Sequence, residues 1–346
     1  LRAFVLHGAG RAGVEDVEPP AAGPGEVVVD VARVGVCGTD VELYSGELQY
    51  LRDGRSRFPV RPGHEWSGRV TAVGAGVDPG WAGRRVTGDT MLGCRACRRC
   101  RGGRQHLCED RQEVGILGRA GALAARLAVP AWSLHALPDT VDDALGALVE
   151  PGGNALRAVR AAGLAPGDRV LVTGPGTIGL LAAMFARRAG AEVHLLGRDP
   201  ETLEFAASLG FDRCWTAESL PRLPYEAVID ASNAESLPAR AVEWVEPGGR
   251  VVFIGLAGTP SLLDTRALAL KDATARGILS ASPGLAATIS AYAEGAVDPR
   301  PLIAATIGLD GVAAVLSGER PEGAGPGPKV HVAPGGPAAP APPAAG

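Results

Sequence analysis

DRVLVTGPGTIGLLAAMFARRAG, residues 168–190, decides the fold. DRVLVT is apolar enough to be a strand covered on both faces, and TIGLLAAMFARRAG reads as a helix. Between them GPGTIG (174–179) places Gly174, Gly176 and Gly179 in a G-x-G-x-x-G pattern. That pattern is weak alone, but its position after a strand and at the start of a helix makes it informative. Gly174 permits a tight turn, Gly176 lets a pyrophosphate approach the backbone, and Gly179 lets helix and strand pack closely. Thr177 and Ile178 carry the chain into the helix, whose free N–H groups would face the phosphates. The competing reading is a glycine-rich turn that holds no ligand.

The alternation continues outward. AEVHLLG reads as a strand, PETLEFAASLG as a helix, YEAVIDAS as a strand, AVEWV as part of a helix and GRVVFIG as a strand. Repeated strand–helix units with apolar strands predict a parallel sheet covered on both faces. Upstream the texture differs. Residues 1–135 hold short β-like runs such as VVVDVARVGV (27–36) and GRVTAVG (68–74), broken by Gly and Pro and with little helical period. Helical spacing begins near residue 140, with Asp and Thr as caps. Further helices are expected over 284–294 and 310–316, and a last strand at KVHVAP (329–334). The fold class is therefore α/β plus β.

About 20 residues past the glycines, an acidic residue would bind the ribose hydroxyls of NAD. The chain has HLLGRD there, with Gly197 in that place and Arg198 next. Arg198 is positioned to pair with a 2′-phosphate, which favours NADP over NAD. Asp199 has two readings, a ribose contact or a cap on the following helix.

The 346 residues are enough for two domains, and the net charge of −4 gives no general reason to bind nucleic acid or an anionic membrane. No apolar stretch approaches the roughly 20 residues of a transmembrane helix, and the N-terminus lacks the pattern of a signal peptide. A cytoplasmic location is expected, where clustered cysteines are more often metal ligands than disulfides. Cys94, Cys97, Cys100 and Cys108, spaced C-x2-C-x2-C-x7-C, fit a closed tetrahedral zinc site that staples a loop. A second metal set, Cys37 in VGVCGTD with His64 and Glu65 in PGHEWSG, offers S, N and O donors. Three protein ligands would leave a fourth position open for water or substrate. Glu150, in LVEPGG, is a further candidate ligand. Each residue also has a plain structural reading, and their joint occurrence upstream of a dinucleotide motif favours the site.

These stretches resemble the zinc-dependent medium-chain dehydrogenase/reductase family, which includes alcohol, sorbitol and threonine dehydrogenases. CGTD, GHE, the four-cysteine lobe, the EP dipeptide at 150–151 and GPGTIG stand in the family's order, from RAFVL to KVHV. The resemblance implies a GroES-like β-rich catalytic domain over 1–150, an inserted Rossmann domain over 151–278, and a segment over 279–334 that returns to the first domain. Residues 335–346 are expected to be a disordered tail. Cys37 and His64 match the constant ligands of the catalytic zinc. Glu65 matches an acid that is a direct ligand in some members and a supporting group in others. Glu150 stands where alcohol dehydrogenases carry cysteine and many polyol dehydrogenases carry Glu, so the third ligand stays open between Glu65 and Glu150. Thr39 matches the hydroxyl residue that passes on the substrate proton, and the four cysteines match the structural zinc lobe. Two zinc ions per chain, NADP or NAD, hydride transfer from a carbinol carbon, and a homodimer or homotetramer are implied.

Within the family, PGHEWSG, VEPGGNALRAV and ILSASPGLAATISAYAEGAVDP are similar to the 2-deoxy-scyllo-inosamine dehydrogenases of aminoglycoside biosynthesis. That likeness implies a polar cyclic aminocyclitol or polyol substrate, with Tyr44 and Trp66 as candidate ring faces and Glu47 or Asp53 as candidate partners for its charge. A sorbitol, sugar-alcohol or glucose dehydrogenase is the alternative. From another class comes a non-catalytic zinc protein, which would hold one zinc where the enzyme holds two.

Overall fold

In the computed structural model, which describes residues 1–336, the strand Arg169–Thr173 lies near the middle of a six-stranded sheet. Glu192–Leu196 pairs on one side of it and Tyr225–Asp230 on the other, both parallel. Cys214–Trp215 extends one flank, and Val245–Phe253 followed by Thr274–Gly277 extends the other. Numbered along the chain, the spatial order is 3-2-1-4-5-6, the doubly wound order with its switch point between the first and fourth strands. Apolar side chains fill both faces because helices cover both. Val170 and Val172 meet Leu180, Leu181 and Phe185 of the helix Thr177–Arg188 in one core, while Leu171 and Val228 meet Val242 in another.

Gly174 ends the first strand with φ 79°, in the left-handed region that glycine tolerates. At Gly179 a Cβ would come within 2.1 Å of the Gly174 carbonyl oxygen. The helix can therefore start against the strand only if residue 179 has no side chain.

The rest of the chain builds a seven-stranded sheet around Glu26–Gly35, which pairs antiparallel with Glu65–Val73, Arg126–Pro130 and Lys329–Val332. The C-terminal strands Ile303–Ile307 and Lys329–Val332 thus join a sheet begun some three hundred residues earlier. The returning segment is tied down on both sides. Ser282 donates to buried Asp89 at 2.7 Å, and Tyr292 donates to the Leu148 carbonyl at 3.1 Å.

The β-rich part also contains a helix, Gly38–Ser45, where little helical period was expected. It buries only Asp40 and Leu43, so it leaves no apolar stripe in the sequence. Its C-terminus is marked instead by Gly46 at φ 81°. The helices expected near 140, 284–294 and 310–316 are Asp143–Ala147, Val149–Ala162, Leu285–Ala293 and Val312–Leu316. Except for Gly335 and Gly336, the expected tail lies outside the described residues. No helix among those residues is long and apolar enough to cross a membrane.

Candidate metal and dinucleotide site

Cys37 lies just before the helix Gly38–Ser45, at the end of one central strand, and Glu65 begins the neighbouring strand directly after His64. The pairing of Gly35 with Glu65 sets the two strand ends side by side. As a result one donor atom each from Cys37, His64 and Glu65 lies within 4.8 Å of the others. His64 and Glu65 are buried and Cys37 is half-buried.

Asp40 holds the loops together. Its Oδ2 accepts from the Cys37 N–H at 2.9 Å, and its Oδ1 accepts from the Gly63 N–H at 3.2 Å. Asp40 Oδ1 also lies 3.7 Å from His64 Nδ1. That nitrogen is buried and has no hydrogen-bond partner among the described residues. Burial alone would lower the His64 pKa, but the Asp40 carboxylate and Cys37 carry it well above the usual histidine value. A soft sulfur, an imidazole and a carboxylate around one point, with a buried acid behind the imidazole, form a donor set suited to zinc.

Glu65 has a second partner that its local sequence does not announce. Lys329 Nζ donates to Glu65 Oε1 at 2.9 Å, to Oε2 at 2.7 Å and to the Val36 carbonyl at 2.8 Å. Both side chains of this ion pair are buried. Burial opposes the lysine charge, yet Glu65 and Cys37 raise its pKa overall, so it stays an ammonium. Glu150 is in the first turn of Val149–Ala162 and is buried, but it falls outside the Cys37–His64–Glu65 group. Asn154, one turn on, donates to Glu150 Oε1 at 2.9 Å. Burial, reinforced by Glu65, pushes the Glu150 carboxyl up to about 7. Thr39 is half-buried in the first turn of the helix after Cys37, and its hydroxyl makes no hydrogen bond among the described residues.

The four-cysteine lobe closes on itself. Its sulfurs all lie within 4.8 Å of one another, with Cys94–Cys100 at 4.0 Å and Cys97–Cys108 at 3.9 Å. Four sulfurs tetrahedral about a zinc would stand roughly 3.8 Å apart, so the cage fits that ion. Backbone N–H groups of Cys97 and Ala96 pull the Cys94 thiol down to about 7, while burial and neighbouring thiols push Cys100 up to about 12. A dication would let all four ionise together.

On the dinucleotide side, Gly174, Gly176, Thr177, Ile178 and Gly179 form the turn between the first strand and its helix, and Gly176 is the residue before the first helical turn. Arg198 is exposed, just past the second strand. At Gly197 a Cβ would meet Leu203 at 2.8 Å and Pro175 at 2.9 Å, so a side chain there would require these neighbours to shift. Asp199 caps the helix Pro200–Ser208, accepting from the Glu201 N–H at 3.2 Å and the Thr202 hydroxyl at 2.9 Å. Of its two readings the structure shows the cap. Trp66, a candidate ring face, is packed in the core instead. Tyr44 is half-buried, and Glu47 and Asp53 are exposed.

Family models describe the same two parts. An alcohol dehydrogenase GroES-like domain matches residues 23–139, and a zinc-binding dehydrogenase domain matches residues 177–295. The L-threonine 3-dehydrogenase of Deinococcus deserti is 32% identical over 330 residues, covering 89% of this chain and 94% of the relative. That of Rhizobium johnstonii is 30% identical over 311 residues, covering 86% and 88%. The chain belongs to the zinc-dependent medium-chain dehydrogenase family. Solved structures of the family superpose closely. A putative zinc-binding dehydrogenase of Sinorhizobium meliloti bound to NADP has TM-score 0.87 at 28% identity, covering 96% of this chain and 99% of its own. An alcohol dehydrogenase from a Thermus species has TM-score 0.86 at 29% identity, with the same coverage. As a medium-chain dehydrogenase, the chain is a zinc- and nicotinamide-dependent oxidoreductase acting on alcohols.

Sequence reasoning missed Asp40, Asn154 and Lys329. Asp40 was in view within CGTD but lacked a role until its two N–H partners were placed. Lys329 and Glu65 are 264 positions apart, and nothing local links them.

Proposed function

We propose that this dehydrogenase oxidises a polar secondary alcohol bearing an amino group to the ketone, with NADP preferred over NAD. The grouping of Cys37, His64 and Glu65 within 4.8 Å, in a chain that also carries the glycine turn, is the observation that supports the reading most. Cys37, His64 and Glu65 would hold the catalytic zinc, and Cys94, Cys97, Cys100 and Cys108 the structural one. When bound, the catalytic zinc acts as a Lewis acid that lowers the pKa of an alcohol hydroxyl. Asp40 orients His64, and Lys329 balances the Glu65 charge from behind. Thr39 receives the substrate proton at its hydroxyl and passes it outward. Glu150, buried beside this set and held by Asn154, is the remaining carboxyl group there, and a bound zinc would draw its pKa back down from about 7. The turn from Gly174 to Gly179 receives the pyrophosphate, and Arg198 the 2′-phosphate.

For the substrate, the aminocyclitol 2-deoxy-scyllo-inosamine is the narrower proposal, resting on the likeness of PGHEWSG, VEPGGNALRAV and the 278–299 stretch to that subgroup. L-threonine is the second reading, favoured by the curated relatives at 30–32% identity. Both are secondary alcohols bearing an ammonium group. The protein is proposed to work in the cytoplasm as a homo-oligomer joined at the outer strand Thr274–Gly277, near which Leu256, Leu262 and Leu270 are exposed.

The test is nicotinamide reduction by zinc-replete protein with NAD⁺ and NADP⁺ in parallel. The panel holds the aminocyclitol, threonine, myo-inositol, sorbitol, glucose and a simple secondary alcohol. Selective turnover of the aminocyclitol is expected, and Arg198→Ala should weaken NADP far more than NAD. Preference for threonine selects the second reading. Turnover of sorbitol or glucose alone refutes the amino requirement, and equal effects of Arg198→Ala on the two cofactors refute the 2′-phosphate contact.

A further inference from the structure

We propose that the catalytic domain carries a second ligand site, a pocket for a small phosphate-bearing anion built from Arg55, Arg57 and Arg61. A cavity of about 530 Å³ opens between the N-terminal hairpin, residues 55–61 and residues 116–120. Cys37, Thr39, His64, Glu65 and the glycine turn do not line it.

Charge is lopsided there. Arg55, Arg57, Arg61 and Arg119 line the cavity against a single carboxylate, Glu15. Glu15 is engaged by His7 at 2.9 Å, and Arg119 is paired with Glu26. The other three guanidinium groups have no carboxylate partner among the described residues. The chain as a whole is acidic, at −4, so this excess is local.

Arg55 and Arg57 are exposed, and water would satisfy them singly. Arg61 is different. It is half-buried, its Nε is shielded from solvent without a hydrogen-bond partner, and its guanidinium donates to nothing among the described residues. Burial lowers its pKa, a sign that the cation lacks a counter-charge. A buried guanidinium Nε without an acceptor is costly, and an oxyanion removes that cost. Arg55 is stacked over the Tyr50 ring at 4.6 Å, and the guanidinium groups that line this one cavity suit the tetrahedral oxygens and double charge of a phosphate group.

The pocket is also held in shape. The Arg61 carbonyl accepts from the Gly121 N–H at 2.8 Å, Val60 exchanges backbone bonds with Leu6, and buried Ser56 donates to the Ile116 carbonyl at 2.9 Å. Its volume leaves room for an organic group on the phosphate. The segment runs from Arg61 directly into Pro62, Gly63 and His64, so an occupant would bear on the strand end that carries the metal donors.

Isothermal titration of the zinc-replete full chain with inorganic phosphate, at constant ionic strength balanced with chloride, tests the site. The variants are Arg61→Gln, Arg57→Gln and Arg198→Gln. Beyond any phosphate held at the dinucleotide turn, one saturable site is expected that is at least about ten-fold weaker in Arg61→Gln and in Arg57→Gln and unchanged in Arg198→Gln. Arg57 is exposed, so its substitution tests the site without disturbing the fold. Binding undiminished in both pocket variants overturns the proposal. So does loss in Arg198→Gln alone, which would place phosphate at the dinucleotide turn, or the absence of saturable binding. A parallel titration with glycerol phosphate separates the two sources, an ester binding tighter if the organic group is held and equally if free phosphate is the ligand.

Discussion

Glu65 and Glu150 show how two buried carboxylates can differ in role. Glu65 has an ammonium on both of its oxygens and still stands within reach of Cys37 and His64, since each oxygen has a second lone pair. Glu150 has only an amide from Asn154, and burial pushes its pKa up to about 7. Glu65→Gln should therefore leave about one zinc per chain, while Glu150→Gln keeps two and loses roughly 10–100-fold in turnover. Metal content by elemental analysis, read beside kcat, checks the split. One zinc in Glu150→Gln and two in Glu65→Gln would exchange their roles. The chemical types at this site were legible in the sequence because CGTD, GHE and the EP dipeptide are local. The choice between the two acids was not, because it depends on where Lys329 and Asn154 fall.

At the scale of elements, the strand Lys329–Val332 does two jobs. It joins Glu26–Gly35 to the edge strand Ile303–Ile307 in the central sheet, and it carries the ammonium that neutralises Glu65. Breaking a buried ion pair by removing one partner leaves an uncompensated charge, at a cost of about 3–5 kcal/mol. Lys329→Met should lower stability by that order in denaturant unfolding of protein that holds only the lobe zinc, so that single and double variants are compared at equal metal content. The double variant with Glu65→Gln should recover much of it. Equal destabilisation in the single and double variants would mean that the lysine acts through packing. The strand–helix alternation was readable because buried parallel strands and their helices carry strong apolar signals. The helix after Cys37 was not, since it is eight residues long and buries one apolar side chain. The short strands Cys214–Trp215 and Thr274–Gly277 are likewise defined by their neighbours rather than by their composition.

For the whole molecule, the outer edge of the dinucleotide sheet stands out. Leu256, Leu262 and Leu270, 74%, 86% and 74% exposed, lie in the segment that leads into Thr274–Gly277, whose outer edge pairs with no strand among the described residues. An apolar surface beside a free edge is a place for a second copy to add its strand. Leu262→Asp should shift the protein toward a smaller species in light scattering, with zinc content unchanged. A wild-type monomer, or a variant of unchanged mass, would remove this interface. The two-part architecture was legible from the change of texture near residue 140. The return of the C-terminal strands to the first sheet came only through the family resemblance, because strand pairing across some three hundred residues leaves no local trace.

Hydride transfer should depend on the metal set at Cys37, His64 and Glu65 and not on the cysteine lobe alone. The most direct measurement is zinc content and alcohol-dependent nicotinamide reduction on the same preparations of wild type and Cys37→Ser. Two zinc ions with turnover in the wild type, and one zinc with turnover abolished in the variant, are predicted. Full turnover in Cys37→Ser with only the lobe zinc bound would contradict the account.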